Sequence, residues 1–116
     1  MPKSILDHSA YTIAKNVRDG ELSAVEVLES ALERIKTVDG RPGSLDGGDL
    51  TDEDREKVHA FITLTEDRAR KQALAIDAKV RGGEPVGALA GVPTTIKDIF
   101  CVKGTPSTAG SRMLAN

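Results

Sequence analysis

Lys97 stands at the carboxyl end of a β-branched run, Val-Pro-Thr-Thr-Ile over residues 92–96, and is followed at once by Asp98 and a loop. In open α/β sheets, ligands bind beyond the carboxyl ends of the strands. A lysine buried in such a place loses its charged form, and the neutral amine can take a proton from a hydroxyl nucleophile. On spacing alone the default is plainer: a solvated lysine, or one paired with its neighbour Asp98. Asp98 in turn reads first as a carboxylate that caps the following turn through backbone N–H groups.

The remaining reactive side chains are weaker candidates. Nucleophilic catalysis by a hydroxyl needs a base and an oxyanion hole as well. Ser107, Thr108 and Ser111 lie near Gly104 and Gly110, but no nucleophile elbow surrounds them, and they read as turn and cap formers. Cys101 has no histidine in evident support and reads as a packing residue. His8 and His59 are far apart in sequence, so no metal-ligand spacing is present. Asp46, Asp49 and Asp52 fit neither the ligand spacing of an EF-hand nor its terminal glutamate, so no metal is expected on this segment.

Three helices and two strands are expected to position these groups. Ala10, Ile13, Ala14 and Val17 recur at helical spacing, and Gly20 follows, giving a helix over about 9–19. Ser23 and Glu26 form a capping box for a second helix whose inner face carries Ala24, Val27, Leu28, Ala31, Leu32 and Ile35; Leu22 is placed to staple onto Val27. Glu26, Glu29, Glu33 and Lys36 read as its solvated face. Thr65 is placed to cap a third helix running to about residue 81, with Ala69, Ala73, Ile76 and Val80 inward and Gly82-Gly83 as its stop. Residues 58–64, Val-His-Ala-Phe-Ile-Thr-Leu, read as a buried strand with His59 at its edge, and 92–96 as a second. Strand, helix and strand then predict a right-handed βαβ unit, an α/β fold. Between the second helix and the first strand, residues 39–57 form an acidic, Gly-rich connector that cannot build a core. The chain stops as a helical turn begins at 111–114, as if an element were cut.

Composition narrows the function classes. The chain has 116 residues, 39% hydrophobic and only 3% aromatic, so any core rests on Ala, Val, Leu and Ile. Sixteen basic residues against eighteen acidic ones leave a net charge of −2, without the basic block that a phosphate backbone requires. One cysteine permits no internal disulfide, which suits a reducing, cytoplasmic compartment. Residues 1–7 have neither the charged start nor the apolar run of an export signal, and no stretch is long and apolar enough to span a bilayer.

One resemblance goes further than the spacing. Residues 87–98, Gly-Ala-Leu-Ala-Gly-Val-Pro-Thr-Thr-Ile-Lys-Asp, and 101–111, Cys-Val-Lys-Gly-Thr-Pro-Ser-Thr-Ala-Gly-Ser, resemble the first block of the amidase signature family. Residues 20–27, 32–35 and 60–62 resemble its amino-terminal helical region. The likeness is greatest to the family branch that serves as the A subunit of aspartyl/glutamyl-tRNA amidotransferases. The 39–57 connector departs from many relatives, which pass almost directly from helix to strand.

The resemblance implies the amino-terminal portion of a single amidase domain over 1–116: helices followed by a βαβ unit of a larger mixed sheet, incomplete at its carboxyl end. It implies a Ser-cisSer-Lys triad in which Lys97 accepts a proton through a bridging serine from the nucleophilic serine. Both serines belong to a later Gly-Gly-Ser-Ser-Gly-Gly block absent from these residues; Ser107 and Ser111 do not match it. The segment alone is therefore expected to be inactive. For the amidotransferase branch it implies glutamine as ammonia donor, B and C subunits in a heterotrimer, ATP with magnesium at the B subunit, and mischarged Glu-tRNA or Asp-tRNA reached through the complex. The alternatives are a stand-alone amidase of small carboxamides and a non-catalytic α/β interaction module.

Overall fold

The computed structural model describes residues 3–40 and 50–115. A 3₁₀ turn, Ile5–Asp7, precedes α1 (Ala10–Arg18) and α2 (Ala24–Val38). Then follow α3 (Asp52–Arg55), α4 (Glu66–Arg81) and a closing 3₁₀ turn, Arg112–Leu114. None of these helices is long and apolar enough to cross a membrane. The chain divides into two compact units, one of Met1–Arg34 with Thr65–Pro93, the other of Ile35–Leu64 with Thr94–Asn116.

The first unit holds the apolar core. Ile13, Ala14 and Val17 of α1, Ala24, Val27, Leu28 and Leu32 of α2, Ala73 of α4, and Ala90 are buried. These are the faces that helical periodicity selects, and small side chains at 73 and 90 permit close approach. Helix α1 begins at Ser9, whose hydroxyl accepts from the Thr12 N–H (3.1 Å). Both α1 and α4 end with a pair of wrapped-back bonds, Glu21 N–H to Asn16 O and Gly20 N–H to Val17 O in one, Glu84 N–H to Lys79 O and Gly83 N–H to Val80 O in the other. The expected Thr65 cap is absent: its side chain makes no capping bond, although its carbonyl accepts from Ala69 N–H as the first helical turn requires. Gly91 is held at φ +77°, where a Cβ would lie 2.8 Å from a Val17 methyl and 3.3 Å from Ala24 Cβ, so only glycine lets the backbone rest on α1 and α2.

The start of α2 is satisfied from two sides. Ser23 and Glu26 form the expected box, Glu26 N–H to Ser23 Oγ (3.0 Å) and Ser23 N–H to Glu26 Oε2 (2.9 Å). The first two helical N–H groups, of Ala24 and Val25, donate instead to the Asp77 carboxylate on α4, at 2.6 and 3.2 Å. Periodicity does not reveal this tertiary cap, because the donors and acceptor are about fifty residues apart. A bidentate Arg70–Glu29 pair, with the shorter bond at 2.7 Å, adds an exposed link between the same helices.

The second unit differs. Among its described residues no apolar side chain is buried; the buried residues are Asp39, Asp54 and Thr108. The Asp39 carboxylate accepts from the N–H groups of Ala60 and Phe61 (3.2 Å for Phe61). Its backbone and that of Val38 receive His59 and Val58, with N–O distances of 3.2 and 3.1 Å. The expected strands over 58–64 and 92–96 are not formed: among the described residues no ladder exists, and Val58 (64%) and Ile96 (61%) are exposed. A strand is defined by a partner that takes its N–H and C=O groups. Here the first segment spends its amides on the carbonyl and carboxylate of Asp39 and on the Val38 carbonyl, and His59 takes φ +54°, which a ladder does not accommodate. Accordingly no βαβ unit is formed among the described residues.

Residues 50–57 of the connector hold a short helix that its composition does not suggest. Thr51 caps α3 through a reciprocal box with Asp54, Thr51 N–H to Asp54 Oδ2 (3.0 Å) and Asp54 N–H to Thr51 Oγ1 (3.1 Å). The Nε2–H of His59 reaches the Asp54 carbonyl. Residues 41–49, with Asp46 and Asp49 of the excluded calcium pattern, lie outside the described residues, as do Met1, Pro2 and Asn116.

Ala24 is almost fully buried and its N–H donates to Asp77. Asp77→Ala is expected to cost about 1–3 kcal/mol, and Asp77→Asn less, since an amide oxygen still accepts. Urea unfolding followed by helical circular dichroism checks this; an unchanged midpoint for the alanine variant would show that the cap contributes nothing.

Candidate functional site

Lys97 ends an extended segment and opens a turn, its carbonyl accepting from Phe100 N–H at 3.0 Å. Its side chain is exposed, and its ammonium has no ion-pair or hydrogen-bond partner among the described residues. The nearest carboxylate along the chain, Asp98, is engaged elsewhere. Both its oxygens accept from the Thr108 N–H, each at 3.2 Å, and its Oδ2 also accepts the Thr108 hydroxyl. The Asp98 carbonyl receives Ala109 N–H (3.1 Å) and the Ser107 hydroxyl (3.3 Å), which also reaches the Phe100 carbonyl (3.1 Å). Thr108, only 3% exposed, uses the same oxygen to accept from Gly110 N–H (3.2 Å).

The outcome is a closed loop from 98 to 110 with Lys97 at its mouth. Asp98 does cap backbone N–H groups as its type predicts, but ten residues further on rather than in the turn that follows it. Of the two plain readings of Lys97, solvated or paired with Asp98, the structure shows the first: the lysine is exposed and the pairing is not made. Ser107, Thr108 and Ser111 are turn and cap formers: Ser111 accepts from Met113 N–H (3.3 Å) at the last 3₁₀ turn. Cys101 is a free thiol and exposed, not the packing residue its type suggests. Ile96, Ile99 and Phe100 around the lysine are all more than half exposed. Thr108 is the residue that sequence reasoning undervalued. Its only signal was the Gly104–Pro106 punctuation between it and Asp98, which marks a chain reversal without saying what closes it.

No three His, Cys, Asp or Glu side chains converge among the described residues in a way that would hold a metal. In the first unit an open hollow of about 420 Å³ lies beside the start of α2, lined by Leu22, Ser23, Leu74 and Asp77 among others. The helix N–H groups at its wall are already taken by Asp77 and Ser23.

The loop lies within the segment that a known family matches. The family described as Amidase matches residues 50–116, more than half of the chain, and the chain belongs to that family. Over 95% of its length it is 42% identical to the A subunit of the glutamyl-tRNA(Gln) amidotransferase of Streptomyces coelicolor, and over 92% it is 43% identical to that of Salinispora arenicola. Over 83% it is 43% identical to the protein of the same name in Nostoc punctiforme. The chain spans under one fifth of the length of these relatives, 19%, 18% and 16% for the Streptomyces, Salinispora and Nostoc proteins. No solved structure matches it.

The Thr108 hydroxyl, followed by the N–H groups of Thr108, Gly110 and Ala109, holds the Asp98 carboxyl below its ordinary pKa. A depressed carboxylate contributes fully above its unfolded pKa, about 3.9, and its contribution is lost as pH falls through the lower folded value. The amide resonances of Thr108 and Gly110 should therefore hold their positions to more acidic pH than those beside aspartate in an unstructured peptide, then move together. A transition at the peptide's own midpoint would show that the loop does not favour the charged form.

Proposed function

We propose that the chain is the amino-terminal part of the A subunit of a glutamine-dependent amidotransferase, which supplies ammonia for converting Glu-tRNA(Gln) or Asp-tRNA(Asn) to the amidated form. The observation that carries this reading is the 42% identity over 95% of the chain to a protein of that name, with Lys97 inside the family-matched segment. Lys97 is the base of a Ser-cisSer-Lys triad whose two serines lie elsewhere in the longer protein. Its amine takes the proton that the bridging serine relays from the nucleophile; the nucleophile's oxygen bonds to the glutamine carboxamide carbon, and ammonia leaves with a returned proton. Water then cleaves the acyl-enzyme to glutamate.

An amine serves as base only when neutral, and desolvation is what favours that form. Ile96, Ile99 and Phe100 are exposed around Lys97 here. In this reading they belong to the interior of the longer protein, where the 58–64 and 92–96 segments gain sheet partners and the lysine loses water. That is also the place of the βαβ unit and of the mixed sheet. ATP and magnesium act at a partner B subunit, and a C subunit bridges the two. Mischarged tRNA is reached through that heterotrimer, which works in the cytoplasm.

The test uses the full-length protein in complex with its partners. Lys97→Ala and Lys97→Arg should both abolish acylation by glutamine in a single turnover while thermal unfolding stays near wild type, because Arg keeps the charge but offers no accessible base. Without the serines, the 116-residue chain should release no ammonia above its own Lys97→Ala control. A Lys97→Arg enzyme acylating at the wild-type rate would remove Lys97 from the mechanism.

A further inference from the structure

We propose that Asp98 and Thr108 form a clamp that positions Lys97 for proton transfer, by fixing the backbone on its carboxyl side and by withholding the adjacent carboxylate from its ammonium. The inference rests on the reading of Lys97 as the base and deepens it. Of all the residues near Lys97, Asp98 is the one whose charge is best placed to trap it, since the two are neighbours in the chain. A carboxylate paired with a lysine stabilises the ammonium and opposes its use as a base. In the structure both oxygens of that carboxylate are turned to Thr108, whose N–H they share and whose hydroxyl donates to Oδ2.

The clamp reaches the lysine through the main chain. The carbonyl of Lys97 is fixed by Phe100 N–H, and that of Asp98 by Ala109 N–H and the Ser107 hydroxyl. The root of the lysine side chain is thereby defined, which leaves only its four-carbon stem to be ordered by whatever covers it. Thr108 is buried although polar, and its oxygen is both donor to Asp98 and acceptor from Gly110, so valine of the same shape breaks two bonds at once. Ala109 is drawn to φ +49°, a left-handed conformation that costs an alanine about 1 kcal/mol. The bond from its N–H to Asp98 and that from Ser111 N–H to Thr108 O (2.8 Å) hold it there. Strain kept in a loop beside a reactive group is a sign of positioning rather than of packing.

The experiment measures acylation by glutamine in the assembled complex for Thr108→Val, Thr108→Ser, Asp98→Asn and Lys97→Ala. Thr108→Val should slow acylation on the order of 10- to 100-fold with KM for glutamine unchanged, the penalty of a misplaced base. Thr108→Ser, which keeps the hydroxyl, should restore the rate. A general loss of structure would not divide in this way between kcat and KM, nor be rescued by serine. Wild-type kinetics for Thr108→Val, or a serine variant as slow as the valine one, would overturn the clamp. Should Thr108→Val fail to fold, Asp98→Asn decides: with one acceptor oxygen and a donor nitrogen in place of two acceptors it holds the loop less firmly, so acylation should slow although no charge is left to trap the lysine, whereas a wild-type rate overturns the proposal. If Lys97→Ala itself acylates normally, the assignment of the base has failed and the clamp with it; if Lys97→Ala is dead while Thr108→Val is normal, the clamp alone is wrong.

Discussion

A backbone N–H withdrawn from water has to find an acceptor, and in this chain aspartates supply it where secondary structure does not. Asp77 takes the two N–H groups at the start of α2, Asp39 takes those of Ala60 and Phe61, and Asp98 takes that of Thr108. Each joins segments distant in sequence, and each is a short side chain whose two oxygens can serve more than one donor. These three carboxylates add polar links between elements to those made by apolar packing and backbone bonds.

The two units depend on this device to different degrees. The first has a buried apolar face on α1 and α2, and Asp77 adds to burial that the hydrophobic effect already favours. The second buries only polar residues among those described, so its hydrogen bonds stand in place of a core. Its large apolar side chains, Ile96, Ile99, Phe100 and Met113 among them, face outward. Apolar surface of that extent is what a domain presents to the rest of its own sheet or to a partner, and it coincides with the segment that the amidase family shares.

At the candidate site the arrangement separates two jobs that adjacent residues would otherwise confuse. Among the described residues Lys97 has no counter-ion, and Asp98 is spent on the loop that follows. Under the proposed reading of Lys97 as a base, the adjacent carboxylate has to be kept from its amine while the loop is held, and charge-bearing neighbours achieve both only if their partners are kept apart. Thr108 accomplishes this from ten residues away, through a hydroxyl that accepts one bond and donates another.

Helices were legible in the sequence because their signals are local: the period of Ile13, Ala14 and Val17, the Ser23–Glu26 box, and glycines at 20 and 83 all act within a turn or two of the backbone. The family block around Lys97 was legible as well, since a run of residue types survives without knowledge of its surroundings. The strands were not decided by the sequence of 58–64 or 92–96, because β-branched residues favour extended backbone but a ladder needs a second strand. The short helix at 52–55 was hidden in a composition that speaks for a connector, although Thr51 and Asp54 carried its cap. Only the tertiary structure paired Asp98 with Thr108, Asp77 with α2, and Asp39 with Ala60 and Phe61. These are contacts between single residues far apart in the chain, for which no periodicity exists; their partners are set by where the backbone turns, and so the sequence determined which groups were able to bond while the fold decided which of them met.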